Sequence, residues 1–418
     1  MQEVRATIIT IGDELLIGQT LDTNSGWMAR KLNQLGIWLH RRVAIGDVPE
    51  EILHTLKEES ARADIILLTG GLGPTDDDKT KAVLCRYFGA RLVYNADILK
   101  QVEERVSRFS TRFLERNKAQ ALVPDLCTPI FNPRGTAPGM WFEQDAKVYV
   151  SMPGVPYEME GMMEKEVLPR LARHFRLGAI LHRTVLTTGV PEAELAETLS
   201  GLEKSLPPHV SLAYLPGQGV LKLRLTARGT VAQELAGELD QYAQELENQV
   251  GGAIVAREDL PLEALVGTGL KARGLQLALA ESCTGGYLAH LITTIAGSSA
   301  YFRGGVVAYH NAIKNQLLDV PLAVLEKEGA VSEAVVRAML QGVLHRLQAD
   351  VGIAISGILG PSGGTEDKPV GTVWVATGGA DQVYCRKLQL RYDRQKNLKM
   401  AANYALLLLL DVLKIVPK

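Results

Sequence analysis

Short apolar runs alternate with segments of helical period through the first third of the chain. Arg5 to Ile11 reads as a strand, and Met28, Leu32 and Leu35 recur at helical spacing before Gly36 stops the helix. Ile37 to Val43 predicts a second strand and Pro49 to Arg62 a further helix. Asp64-Ile-Ile-Leu-Leu68 is apolar without alternation, which predicts a central parallel strand covered on both faces. Lys79 to Phe88 and Tyr157 to Phe175 continue as helices. Between them, Asn132 to Met140 and Met152 to Met159 are rich in turn residues, which turn chemistry explains with or without a ligand.

From about Leu177 the pattern changes. Thr184 to Thr188 predicts a strand and Pro191 to Leu202 a helix. Val210 to Leu215 and Val220 to Ala227 form a hairpin pair around Pro216-Gly-Gln-Gly219, and Val231 to Val250 is a long helix before a short strand at Ala253. In the last part, a helix at Leu262 to Arg273 leads to a buried strand at Leu275 to Ala280 and a helix at Tyr287 to Ile295. Helices at Ala312 to Leu318, Val320 to Glu328 and Ser332 to Gln348 precede strands at Asp350 to Ser356 and Val370 to Thr377. The final helix, Asn397 to Val412, is almost wholly apolar at Ala405 to Leu410, a run too short for a membrane span and suited to a core or a subunit contact. This order predicts the α/β class in three domains: an α/β domain at 1–176, a small α+β unit at 177–257 and a second α/β domain at 258–418.

A chain of 418 residues exceeds one ordinary core, in keeping with that division. The formal net charge of -2 leaves no basic surplus of the kind that holds nucleic acid, so no nucleic-acid partner is expected. The first residues run straight into a strand, and Cys85, Cys127, Cys283 and Cys385 include no Cys-x-x-Cys pair. Both features lead us to expect a cytoplasmic protein without membrane attachment.

Candidate chemistry gathers at two turns. Thr69-Gly-Gly-Leu-Gly-Pro-Thr-Asp-Asp-Asp78 follows the central strand, where open α/β sheets bind ligands. Its glycines let a backbone approach phosphate, and Asp76, Asp77 and Asp78 repel phosphate unless a divalent cation lies between. Metal-bridged pyrophosphate chemistry is one reading; an acidic first turn for the next helix is the other. No Gly-Lys-Ser/Thr follows, which excludes a Walker loop. In the last part, Leu279-Ala-Glu-Ser-Cys-Thr-Gly-Gly286 joins strand to helix, where Ser282, Thr284, Gly285 and Gly286 would offer hydroxyls and backbone N–H groups to an anion. The same turn is also readable as plain helix capping. Ala296-Gly-Ser-Ser299, Phe302 to Tyr309 and Lys314 follow closely. A desolvated lysine can take a serine proton where no histidine stands in the motifs. Cys283 suggests a thiol mechanism, which the lack of a histidine partner disfavours.

Ala280-Glu-Ser-Cys-Thr-Gly-Gly286, Ala296-Gly-Ser-Ser299, Gly329-Ala-Val-Ser-Glu333 and the long motif Ile355 to Val375 resemble the signature of the competence-damage-inducible CinA family. The resemblance covers nearly the whole chain. It implies an N-terminal molybdopterin-binding-like domain, a KH-like middle domain and a C-terminal domain similar to nicotinamide-nucleotide amidases. The implied reactions are hydrolysis of nicotinamide mononucleotide to nicotinate mononucleotide and ammonia, and metal-dependent hydrolysis of ADP-ribose to AMP and ribose 5-phosphate. Carried over by position, Ser299 is the nucleophile or its positioning hydroxyl, Lys314 the base, Tyr309 a relay and Arg394 a clamp for the 5′-phosphate. Ser282, Thr284, Gly285 and Gly286 would hold substrate there. In the first domain Gly70, Gly71, Gly73 and Thr75 would cradle the nucleotide, and Asp13, Asp76, Asp77 and Asp78 would hold a divalent metal, Asp78 first among them. No cofactor is expected for the amidase, and a homodimer is. Tyr392, where many members carry Gly, and His310 within Tyr309-His-Asn311 depart from the family pattern. The middle segment lacks the Gly-x-x-Gly loop of a nucleic-acid-gripping KH domain, so a spacer or dimerisation role is expected. The alternative to a two-activity enzyme is a regulatory protein that binds a nucleotide or pterin without turnover.

Overall fold

The computed structural model describes residues 3–73, 78–106 and 117–414. Thr75, Asp76 and Asp77 therefore lie outside the described residues. The chain divides into two compact units, residues 1–181 with 227–238, and residues 182–226 with 239–418.

The first unit is built on β1 (Arg5–Ile11), β2 (Trp38–Ile45), β3 (Ile65–Thr69), β4 (Leu92–Tyr94), β5 (Leu122–Pro124), β6 (Thr128–Ile130), β7 (Gly139–Gln144) and β8 (Lys147–Met152). The main sheet runs in the order β2-β1-β3-β8-β7-β6, with β4 and β5 paired separately. β1, β2, β3 and β8 are parallel, so their carboxyl ends share one edge. β3 is buried at every position, as its unbroken apolar run demands. Met28, Leu32, Met159 and Met163 cover one face, and Ile52, Leu56, Val83 and Leu84 the other. The hairpin β7–β8 stands between the two turn-rich segments, whose glycines and prolines hid it from the periodicity.

The middle segment contributes β9 (Ala179–Thr187), β10 (Val210–Pro216), β11 (Leu221–Gly229) and β12 (Ile254–Ala256), in the order β10-β11-β9-β12. The Gly217-Gln-Gly219 tip is engaged within the chain: Asn403 donates to the Gln218 carbonyl at 2.7 Å and Thr188 to that of Gly219 at 2.8 Å.

The second unit carries β13 (Leu277–Glu281), β14 (Phe302–Val307), β15 (Val351–Gly357), β16 (Thr372–Gly378) and β17 (Val383–Gln389), ordered β14-β13-β15-β16-β17. β14, β13 and β15 are parallel; β16 and β17 return antiparallel. Alternation along β13 feeds two cores, Leu277 and Leu279 on one side, Ala278 and Ala280 on the other. The final helix, Arg394–Val412, buries Ala405 to Leu410 in the first of these. Among the described residues no helix is long and apolar enough to cross a membrane.

Candidate functional site

At the carboxyl ends of β13 and β15 lies a cavity of about 240 Å³, lined by Ser282, Cys283, Tyr309, Lys314, Ser356, the loop Gly357–Gly363 and Arg394. Lys314 comes from the helix Asn311–Leu318, which starts where His310 accepts the Ala312 N–H. Its side chain is 1% exposed, and Nζ donates to the carbonyls of Ala308 at 2.8 Å and Tyr309 at 3.2 Å. Burial pulls this ammonium below the ordinary lysine range, because the charged form loses hydration that two carbonyls replace only in part. Ser282 follows β13 directly and its N–H donates to Ile355, which continues the parallel ladder. Burial pushes the neighbouring Cys283 thiol up to about 12, so a thiolate is not populated near neutrality.

Asn397 fixes the glycine-rich side of the cavity. Fully buried, it donates to the carbonyls of Leu359 and Tyr392 and accepts the Tyr392 N–H. Arg394 then donates to the Gly360 carbonyl at 2.7 Å and to the Tyr309 hydroxyl at 3.2 Å, which makes a bridge across the mouth. Ser356 is held by its own bond to the Ala330 carbonyl. Sequence reasoning missed Asn397; its signal is an amide in the first turn of the final helix, behind the Asp393 cap.

Two sequence-based expectations fail here. Ser299 does not line the cavity: it is exposed in the turn Ser298–Ala300, before β14, whereas Tyr309 and Lys314 come after it. At about 3.3 Å per residue, the six residues of β14 put on the order of 20 Å between them. Within one chain Ser299 and Lys314 cannot share a proton. The turn Ser282–Gly286 also does not present a free helix N-terminus. The buried Glu281 carboxylate accepts the N–H groups of Gly286, Leu288 and Ala289, while Gly285 and Tyr287 donate to Ser282 and Thr284. The helix dipole is thus answered internally. Thr284 is buried, with its hydroxyl unpartnered, and is absent from the cavity lining.

The first unit holds a comparable cavity, about 380 Å³, at the carboxyl ends of β1, β3 and β8. Gly70, Gly71, Gly73 and Asp78 line it, together with Glu14, Asp47, Gln120 and Glu158. Gly70 has φ 115, and a Cβ there would collide with the Ile11 carbonyl, so glycine lets the strand ends meet. Gly70 and Gly73 do not offer their N–H groups to a ligand, since these donate to Met152 and to Asp78 at 2.7 Å. Asp13 is corrected too: it is not in the lining, and it exchanges bonds with the Asp47 loop instead. Beside the cavity, burial draws the Lys81 ammonium down to about 8, opposed by Asp78. Glu14, Asp47, Asp78 and Glu158 are hard oxygen donors, yet among the described residues no three His, Cys, Asp or Glu groups converge on a metal position.

Comparison with known proteins agrees along the whole length. Family models match as a probable molybdopterin binding domain over residues 7–173, the damage-inducible protein CinA KH domain over 182–256 and the CinA C-terminal domain over 259–413. A CinA-like protein of Cytophaga hutchinsonii is 46% identical over 96% of this chain and 96% of its own length. Another, from Salinibacter ruber, is 41% identical over 96% of this chain and 98% of its own. A solved CinA superfamily protein of Klebsiella pneumoniae is 35% identical, covering 37% of this chain and 99% of that one, with a TM-score of 0.36. With three domain models in order and such identity over nearly its full length, this chain belongs to the CinA family.

Proposed function

We propose that the C-terminal cavity hydrolyses the carboxamide of nicotinamide mononucleotide, releasing ammonia and nicotinate mononucleotide. The observation that carries this reading is Lys314, a desolvated ammonium that lines one cavity with Ser282 and Ser356, with Arg394 beside it. Lys314, neutral when it acts, takes the proton of Ser282, the hydroxyl that replaces Ser299 in the single-chain cavity. The Ser282 oxygen bonds to the amide carbon, the C–N bond breaks, and ammonia leaves with the proton Lys314 returns. Water then attacks the ester with Lys314 again as base, which restores Ser282 and leaves the carboxylate. Arg394 binds the 5′-phosphate with guanidinium N–H groups beyond those given to Gly360 and Tyr309. Ammonia release from nicotinamide mononucleotide by the purified protein, abolished in Lys314→Ala with the fold retained, is the test; no release from the parent ends the reading.

For the N-terminal cavity we propose nucleotide binding and hydrolysis of ADP-ribose to AMP and ribose 5-phosphate. Its support is a glycine turn at the strand ends with an acidic wall, which a diphosphate approaches only with a counter-cation. Dependence of AMP formation on added Mg²⁺ or Mn²⁺, and its loss in Asp78→Ala, test this part. Binding of AMP without turnover under all metal conditions would favour the regulatory alternative.

A further inference from the structure

Gln120 sits in the short turn Ala119–Ala121 ahead of β5, is 1% exposed, and lines the N-terminal cavity. Its backbone carbonyl and its side-chain oxygen both accept from Lys81 Nζ at 3.2 Å. An ammonium can only donate, so Lys81 decides which way the amide faces: oxygen toward Lys81, NH2 away from it. That NH2 is buried and has no partner in the protein. A buried donor without an acceptor is unfavourable in any fold, and one on a cavity wall is explained by a ligand that supplies the acceptor. Lys81 itself is not part of the lining; it stands behind Gln120 on the helix Thr80–Phe88, whose first residue is pinned to the glycine turn by Thr80 donating to Gly70.

We propose that Gln120 Nε2 is a ligand-binding donor of the N-terminal cavity, presented by Lys81, and that it takes an uncharged acceptor of a nucleoside, a ring nitrogen or a sugar oxygen. Phosphate is the wrong partner for it. Glu14, Asp47, Asp78 and Glu158 line the same cavity and, among the described residues, no Lys, Arg or His does. A bare phosphoryl oxygen is repelled there, whereas ring and sugar oxygens or nitrogens are not. The proposal rests on the reading that this cavity receives a nucleotide, and adds which end of it Gln120 reads.

The test titrates the full-length protein calorimetrically with adenosine, which has no charge, and measures ADP-ribose turnover alongside. Gln120→Glu keeps the shape and the oxygen toward Lys81 but removes the donor; Gln120→Leu is the second variant, and apo unfolding temperature checks both folds. Expected is at least tenfold weaker adenosine binding in both variants, with the apo unfolding temperature within a few degrees of the parent. Lys81→Met, which frees the amide to turn, weakens adenosine by about threefold to tenfold, and adding it to Gln120→Leu costs nothing more. Adenosine bound by the variants as by the parent overturns the proposal, as does a parent that binds no adenosine. A parent that binds adenosine but does not cleave ADP-ribose, with binding lost in Gln120→Glu, sinks the proposed reaction and leaves Gln120 in place. Cleavage with unchanged KM in Gln120→Glu does the reverse.

Discussion

The two cavities occupy the same architectural position and carry opposite charge. Each opens at the carboxyl ends of parallel strands beside a glycine turn. Among the described residues, four carboxylates and no cation line the N-terminal cavity, while Lys314 and Arg394 and no carboxylate line the C-terminal one. The sheet fixes where a ligand can go; the side chains that enter from adjoining loops and helices decide what it is. An anionic mononucleotide suits the cationic cavity unaided, and a diphosphate enters the acidic one only with a counter-cation.

The contrast is easiest to break at Lys314. Lys314→Met is expected to lower ammonia release from nicotinamide mononucleotide by about 10²–10⁴-fold, the usual range for a lost acid-base group, with ADP-ribose turnover unchanged. Ser282→Ala should fall in the same range and Ser299→Ala within a few-fold of the parent, both read by the same assay. An equal loss for Ser299→Ala would mean that its turn reaches the cavity from another chain. Arg394→Ala should raise KM for nicotinamide mononucleotide by about 10- to 100-fold with a smaller change in kcat, since a charge-assisted phosphate contact is removed.

The depressed Lys314 value sets the sign of the pH dependence. The neutral amine forms below the usual lysine range, so kcat/KM should climb with pH and level off before that range. The folded state releases this proton before the unfolded state does, so stability also rises with pH between the two values. A rate still climbing at the ordinary lysine value would show that Lys314 is not the base. The smallest effect is expected for Cys283→Ala: within about twofold on amide hydrolysis, because a thiol held near 12 contributes no nucleophile.

Much of this was readable beforehand, for physical reasons. β3 declared itself by an unbroken apolar run, and the helix Leu262–Arg273 by period and its Gly274 stop. Lys314, Tyr309, Ser282 and Arg394 line one cavity, and it was the resemblance, not a local pattern, that singled out Lys314, Tyr309 and Arg394. β14 was not legible, since Gly304 and Gly305 erase the alternation in Phe302–Val307. The resemblance alone paired Ser299 with Lys314, and the strand between them holds the two apart within one chain. Glu281 and Gln120 escaped for another reason. A carboxylate that caps its own following helix, and an amide oriented by a lysine distant in sequence, are set by tertiary contacts that no local pattern records.

Glu281 also bears on how this pocket could be re-specified. Because that carboxylate already occupies the amide groups at the start of Tyr287–Thr294, reshaping 282–286 would alter the cavity wall but would free no helix N–H group for an anion. Under the proposed reaction, selectivity for the length of the ligand would fall to the junction between β17 and the final helix, where Asn397 and Arg394 fix the glycine-rich wall of the cavity.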